Sequence, residues 1–150
     1  MTAKETLAEL GLSLPPVAAP VAAYVPAVRS GNRVYTSGQL PTVDGKLPVT
    51  GKVGAEVSQE RATELAQTAA LNALAAIDDL VGLDSIKRVV KVVGFVASAP
   101  DFTAQPAVVN GASELLGRVF GDAGRHARSA VGVAVLPLDA PVEVEVIVEV

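Results

Sequence analysis

The sequence predicts an α+β fold in which one mostly antiparallel sheet carries two helices packed on one face. Apolar residues alternate with period two near both ends of the chain, and two stretches between them repeat at helical spacing. The elements follow in the order strand, strand, helix, strand, helix, strand, strand. A chain of 150 residues is long enough to bury a core, so we expect a single domain over residues 1–150.

The first residues are predicted to form an extension, residues 1–19, made of a short helix and a connector. Good helix formers fill residues 2–10, with Thr2 placed to cap the start and Gly11 placed to end the helix. Residues 12–23 are rich in proline and alanine, which predicts an irregular arm laid over the body of the protein.

A hairpin follows the extension. The segments Tyr24–Ser30 and Arg33–Ser37 have strand composition, and Gly31–Asn32 between them is typical of a two-residue hairpin turn. Residues 41–57 hold several glycines and prolines among polar residues, which predicts a long surface loop.

Two helices and a buried strand are predicted in the middle of the chain. Ser58–Val81 has an alanine-rich apolar stripe and is followed by Gly82, a residue suited to a helix C-terminus. Ser85–Ala99 contains the run Val89–Val96, which is apolar except for Lys91 and Gly94. Such a run is typical of a central strand covered on both sides. Pro100–Gly121 is predicted to be the second helix, with Pro106 in its first turn.

The run from residue 124 to 150 is predicted to form an antiparallel hairpin with its turn at Leu136–Pro141. One face of this hairpin is valine-rich and is expected to be buried. The residues expected on that face are Ser129, Val131, Val133, Val135, Val142, Val144, Val146 and Val148. The other face would carry Arg128, a row of small residues and three glutamates, which leaves room for a ligand beside the guanidinium.

The hairpin face that carries Arg128 has no predicted element to cover it. We therefore expect the chain to associate with copies of itself through this face, in a closed ring. A second interpretation of Arg128 stays open at this point, namely a structural salt bridge to Glu145 or Glu149 across the hairpin.

Composition disfavours several classes of function. The formal charge is −4 and only five residues are aromatic, so a nucleic-acid partner is not expected. The chain has no cysteine and a single histidine, His126, so we predict no metal site; Asp78–Asp79 is interpreted as solvated surface. With no signal peptide and no membrane-spanning run, we expect a cytoplasmic protein without a membrane partner.

Several short segments resemble the RidA/YjgF family of reactive-intermediate deaminases, also labelled L-PSP endoribonuclease-like, and the resemblance runs from about Ala19 to Val148. The segments that carry it are Tyr35–Pro41, Pro100–Phe102, Val109–Asn110, Ala127–Val131, Leu136–Pro137 and Val142–Val144. The resemblance implies a chorismate-mutase-like α+β fold, a homotrimer, and a cofactor-free site in each cleft between subunits.

The resemblance also implies roles for individual residues. Arg128 matches the arginine that binds the carboxylate of a small enamine or imine acid, and Glu143 matches the glutamate that holds or activates water. Further positions that match residues lining the family's site are Tyr24, Ser37, Gly38, Asn110 and Ala130.

The chain also departs from the family's pattern. Ala130 stands where cysteine is frequent and His126 where proline is frequent; with the extension and the loop at 41–57, these features indicate a longer branch. The leading hypothesis is a hydrolytic deaminase of small imine acids of the 2-aminoacrylate type. The alternatives are a protein that binds small carboxylates or 2-keto acids without turnover and, least favoured by the acidic charge, an endoribonuclease.

Overall fold

The computed structural model describes residues 1–19 and 23–150, and within them it has five strands and three α-helices. In chain order these are α1 Ala3–Glu9, β1 Ala27–Ser30, β2 Arg33–Thr36, α2 Gln59–Val81, β3 Arg88–Ala97, α3 Gln105–Phe120, β4 Ala127–Val133 and β5 Val142–Glu149. Short 3-10 turns follow α2 and α3 and precede β5.

The strands form one sheet in the order β1-β2-β5-β3-β4. The β1–β2, β2–β5 and β5–β3 pairs are antiparallel, and β3–β4 is parallel. Helices α2 and α3 pack against each other and against the sheet. The predicted α+β class, with a mostly antiparallel sheet and helices on one face, is therefore confirmed.

The predicted C-terminal hairpin is wrong, because β3 lies between β4 and β5. Alternation and turn residues show that a segment is a strand, but they do not select its neighbour in the sheet. Here α3 connects β3 to β4, and a helical crossover of this kind joins parallel strands. Since β4 takes one edge of β3, β5 pairs with the other edge.

The predicted faces of β4 are also reversed. In the sheet, Arg128 pairs with Val92, and Ala130 pairs with Gly94, which in turn pairs with Val144 of β5. Residues paired across neighbouring strands point to the same face, so Arg128 and Ala130 lie on the helix-covered face. Val131 lies on the opposite, open face and is 43% exposed. Alternation separates a strand's two faces without showing which face the helices cover.

The valines of β5 form the centre of the core, as predicted. Val142, Val144, Val146 and Val148 are almost completely buried under α2 and α3. The alanine-rich stripe of α2 lets α3 come close, and Gly111 marks the closest approach. A Cβ atom built on Gly111 would lie 1.9 Å from the backbone oxygen of Thr63.

The helix ends agree with most of the predictions. Ser58 Oγ accepts a hydrogen bond from Arg61 N at 3.1 Å, and Gly82 ends α2 with a φ of 85°. Thr2 and Glu5 form a capping box at the start of α1, which confirms the short N-terminal helix. Helix α3 begins at Gln105 rather than Pro100, and Ala104 before it provides no side-chain cap.

The loop at 41–57 is only partly a surface loop, which corrects the prediction. Val53 and Val57 are buried in the core. Val53 N donates to Ala97 O at 2.7 Å, and Ala99 N donates to Val53 O at 2.9 Å, so the loop extends the ladder beyond the end of β3. In the predicted connector at 12–23, Leu12 and Leu14 pack on the core, while residues 20–22 lie outside the described part.

Candidate functional site

The guanidinium of Arg128 lies against α3. Its Nη1 donates to Asn110 Oδ1 at 2.7 Å and to Ser113 Oγ at 3.3 Å, and its Nη2 donates to Pro106 O at 3.4 Å. Asn110 and Ser113 are three residues apart and therefore share one side of the helix. The sequence singled out Asn110 but not Ser113, although this spacing could have identified it.

No carboxylate neutralises Arg128 within residues 1–19 and 23–150. The ion pairs found there are Lys4–Asp78, Lys52–Asp139 and Arg61–Glu64. Glu145 lies on the open face, because it alternates with the buried Val144 and Val146, whereas Arg128 lies on the helix face. The interpretation of Arg128 as a salt-bridge partner of Glu145 or Glu149 is therefore wrong, and its acceptors in the described residues are all uncharged groups.

The hydrogen bonds to α3 use only part of the guanidinium. Nη1 makes two of these contacts and Nη2 makes one, at 3.4 Å. In the described part of the chain, Nε has no bonded acceptor, and Nη2 has one acceptor for its two N–H groups. Nε and Nη2 form one edge of the guanidinium, and parallel N–H bonds from such an edge match the two oxygens of a carboxylate.

Glu143 belongs to a second group of residues, on the open face next to β2. The chain advances four residues from Tyr35 to Gln39 while β5 advances three from Ile147 to Val144, so β2 has one extra residue here. This bulge brings the Gly38 backbone against Glu143. A Cβ atom on Gly38 would lie 2.8 Å from Cδ and Oε1 of Glu143, so a larger residue would displace the carboxyl group.

Ser37 connects the bulge to the segment that carries Tyr24. Its Oγ donates to Val25 O at 2.6 Å, and its backbone N donates to Pro26 O at 2.8 Å. Tyr24, Gly38 and Glu143 all line one cavity of about 950 Å³. Of the predicted site residues, the structure therefore brings Tyr24, Ser37, Gly38 and Glu143 together.

The cavity has walls that sequence reasoning did not assign to the site. Residues 13–19 of the N-terminal connector form one wall, and residues 39–40 and 42–45 form another. Leu138 lies at the rim, is 67% exposed and has a φ of 59°, which is uncommon for a residue other than glycine. The only sequence signal for these walls was the length of the extension and of the loop.

Burial raises the pKa of Glu143, and the charge of Glu145, two residues along on the same face, raises it further. A carboxyl group shifted in this direction is suited to accept a proton near neutral pH. The electrostatics of this second group of residues therefore favour acid–base chemistry, whereas the group around Arg128 favours anion binding.

The two groups of residues are separated within one chain. Strand β3 lies between β4 and β5, which places their axes roughly 10 Å apart. Arg128 pairs with Val92 and Glu143 with Phe95, which adds about another 10 Å along the strands. The two side chains also point to opposite faces. Asn110 and Ala130 accompany Arg128, and one small acid cannot touch Arg128 and Glu143 of the same chain.

A family model described as "YjgF/chorismate_mutase-like, putative endoribonuclease" matches residues 4–150. Protein TCP17 of Trypanosoma cruzi is 47% identical over 145 residues, which cover 95% of this chain and 91% of that protein. The chain belongs to the YjgF/chorismate-mutase-like family. A relative from Escherichia coli, 2-iminobutanoate/2-iminopropanoate deaminase, is 35% identical over 129 residues, covering 86% of this chain and 88% of the enzyme.

The family's fold is also present in solved structures. A putative endoribonuclease from Shewanella oneidensis superposes with a TM-score of 0.96 over the whole of both chains, at 34% identity. The resemblance to the YjgF family and its α+β fold, both predicted from short segments, are therefore confirmed. Within the described residues, no helix has the length and apolar character needed to cross a bilayer.

Proposed function

We propose that this protein is a cofactor-free deaminase that hydrolyses small 2-imino acids, and their enamine tautomers, at clefts between identical subunits. The observation that carries the proposal is the guanidinium of Arg128, which is charged, fixed by neutral acceptors and open along its Nε–Nη2 edge. The 35% identical deaminase relative supports the same chemistry.

The proposed reaction begins with binding of the acid. The carboxylate of the imino acid accepts two parallel hydrogen bonds from the open edge of Arg128. Glu143 then takes a proton from a water molecule as its oxygen attacks the C=N carbon, and the imine nitrogen gains a proton. The resulting carbinolamine loses ammonia when the C–N bond breaks and the hydroxyl gives up its proton. The products are one 2-keto acid and one ammonia.

The separation of Arg128 from Glu143 supports a site built from two chains. Strand β4 is at the edge of the sheet. The side of β4 that faces away from β3, next to Arg128 and Ala130, is therefore open to a second copy of the chain. The open face next to Glu143 carries exposed apolar residues, Val28, Tyr35 and Val131, which a second copy would cover. A ring of three chains, as the family resemblance implies, would place each Arg128 beside a neighbour's Glu143.

Mixing two inactive variants is expected to restore activity. Each cleft in a ring takes its arginine from one chain and its glutamate from the next, so random assembly of Arg128→Ala with Glu143→Gln in equal amounts leaves about one quarter of the clefts complete. The variants are co-refolded, and 2-keto acid formation from 2-iminobutanoate is compared with the wild type. A mixture no more active than the two variants alone would show that each site lies within one chain.

The rate is expected to fall as the pH is lowered. The fall should begin at a higher pH than it would if the base were a glutamate with an unshifted pKa. The base must be ionised, and burial and Glu145 raise the pKa of Glu143, so protonation begins earlier as the pH falls. Glu145→Gln removes the neighbouring charge and should move the acid limb of kcat/KM to lower pH. Glu149→Gln, on the same face but farther along β5, is the control. An unmoved limb in Glu145→Gln would contradict this role of Glu143.

The size of the cavity favours a second candidate function, which is binding of a larger carboxylate without turnover. A volume of about 950 Å³ is near the upper end of the range of roughly 300–1,000 Å³ for drug-sized ligands. Titration calorimetry with 2-keto acids of increasing side-chain length, together with imine turnover assays, separates the two functions. Tight binding of a long 2-keto acid without hydrolysis of any imine would favour the binding protein.

A further inference from the structure

The single histidine of the chain lies directly behind Arg128, just before β4. His126 Nδ1 is 2.6 Å from Gly124 O, and its Nε2 is 2.9 Å from Ser113 Oγ. Ser113 Oγ is also the acceptor, at 3.3 Å, of one N–H of Arg128. Both His126 and Ser113 are half-buried. These residues form a continuous chain of hydrogen bonds from the guanidinium to a backbone carbonyl.

The direction of these hydrogen bonds follows from the groups at their ends. A carbonyl oxygen only accepts, so His126 Nδ1 donates to Gly124 O. In the tautomer whose single ring proton is on Nδ1, Nε2 is an acceptor, and the Ser113 hydroxyl donates to it and leaves an oxygen lone pair for Arg128. Since a guanidinium only donates, each bond from Arg128 through Ser113 and His126 to Gly124 has one direction in this tautomer.

The far end of this chain of hydrogen bonds is rigid. Gly124 is buried, and a Cβ atom on it would lie 2.4 Å from Leu116 O of α3. The carbonyl that holds His126 is therefore fixed against the same helix that carries Asn110 and Ser113. Helix α3 thus carries both acceptors of Arg128 Nη1, and the imidazole held against the same helix orients one of them, the Ser113 hydroxyl.

We propose that Ser113 and His126 are positioning residues that hold Arg128 with its Nε–Nη2 edge toward the substrate carboxylate. This inference rests on the proposed carboxylate-binding role of Arg128. Without Ser113 the guanidinium would keep Asn110 on Nη1 and only the longer 3.4 Å contact from Nη2 to Pro106 O, so its plane would be held less firmly. His126 fixes the Ser113 hydroxyl, so losing either residue loosens the same contact. Neither residue touches the substrate.

The first test separates binding from chemistry. The carboxylate is held equally in the ground and transition states, so Ser113→Ala is expected to raise KM for 2-iminobutanoate roughly tenfold and to leave kcat within about twofold. His126→Phe should act in the same direction. His126→Gln keeps an acceptor for the Ser113 hydroxyl and should recover most of the loss. Ser85→Ala, which removes a 2.6 Å bond to Gly82 O away from the site, is the matched control.

The second test does not depend on turnover. Titration calorimetry with 2-oxobutanoate, the expected product, should give a Kd weakened about as much as KM in Ser113→Ala and His126→Phe, but not in His126→Gln or Ser85→Ala. If the wild type binds 2-oxobutanoate but hydrolyses no imine, the deaminase proposal fails while these Kd values still test positioning. Unchanged affinity in Ser113→Ala, no recovery in His126→Gln, a fall in kcat alone, or no binding by the wild type would each overturn the inference.

Discussion

Arg128→Ala is expected to reduce kcat/KM for 2-iminobutanoate by a factor on the order of 10² to 10³. Removing one partner of a desolvated, hydrogen-bonded charge pair costs roughly 2–5 kcal/mol, and each 1.4 kcal/mol is a tenfold change. The alanine variant loses the charge and both of the parallel donors proposed to bind the substrate carboxylate. Ammonia and 2-oxobutanoate formation, measured with enzymatically generated imine, gives the ratio.

One further variant separates the charge of Arg128 from its planar pair of N–H donors, and another serves as a control. Arg128→Lys keeps the charge but lacks the planar pair of donors, so it should lie between the alanine variant and the wild type. Arg125→Ala, at an exposed position three residues earlier, should keep full activity. Thermal unfolding of each variant checks that it is folded. If the alanine variant kept half of the wild-type kcat/KM, the carboxylate-binding role would be wrong.

Gly111→Ala is expected to destabilise the fold by about 3 kcal/mol or more. The added methyl group would lie 1.9 Å from the backbone oxygen of Thr63, so α3 must move away from α2. Overpacking of a core usually costs about 1–3 kcal/mol, and a clash with backbone cannot be relieved by a side-chain rotation. Urea unfolding followed by circular dichroism gives the change in free energy.

Gly117→Ala is the matched control, since it makes the same substitution on the same helix. A Cβ atom there has no neighbour within 4 Å, and alanine favours the helix over glycine by about 1 kcal/mol. This variant is therefore expected to be slightly more stable than the wild type. If Gly111→Ala unfolded at the same urea concentration as Gly117→Ala, the close approach of the two helices would be refuted.

Elements defined by local chemistry were predictable from the sequence. Helix α2 begins after Ser58 and ends at Gly82. A hydroxyl cap favours the start of a helix and a glycine favours its end in any fold, because both act through local contacts. The turn at Gly31–Asn32 joins β1 to β2 as expected. The family was predictable as well, because the segment around Arg128 has a specific pattern of residues.

Features that depend on distant contacts were not predictable in the same way. The alternating valines of β4 and β5 were interpreted as one hairpin, yet α3 directs β4 to the outer edge of β3. Because β4 pairs with β3 instead of β5, its two faces are the reverse of those predicted, and Arg128 lies under α3. The wall that the connector at 13–19 forms in the cavity was missed for the same reason, since its contacts join residues far apart in the chain.

The position of Arg128 on an edge strand has a genetic consequence in the proposed ring. In the proposed ring each chain borders two clefts and gives Arg128 to one and Glu143 to the other. An allele that lacks this arginine, expressed beside a normal allele, would disable only the first of these clefts. The second cleft takes its arginine from the adjoining chain and would stay complete whenever that chain is normal. Such an allele would reduce activity in proportion to its dose, rather than inactivating every assembly that it enters.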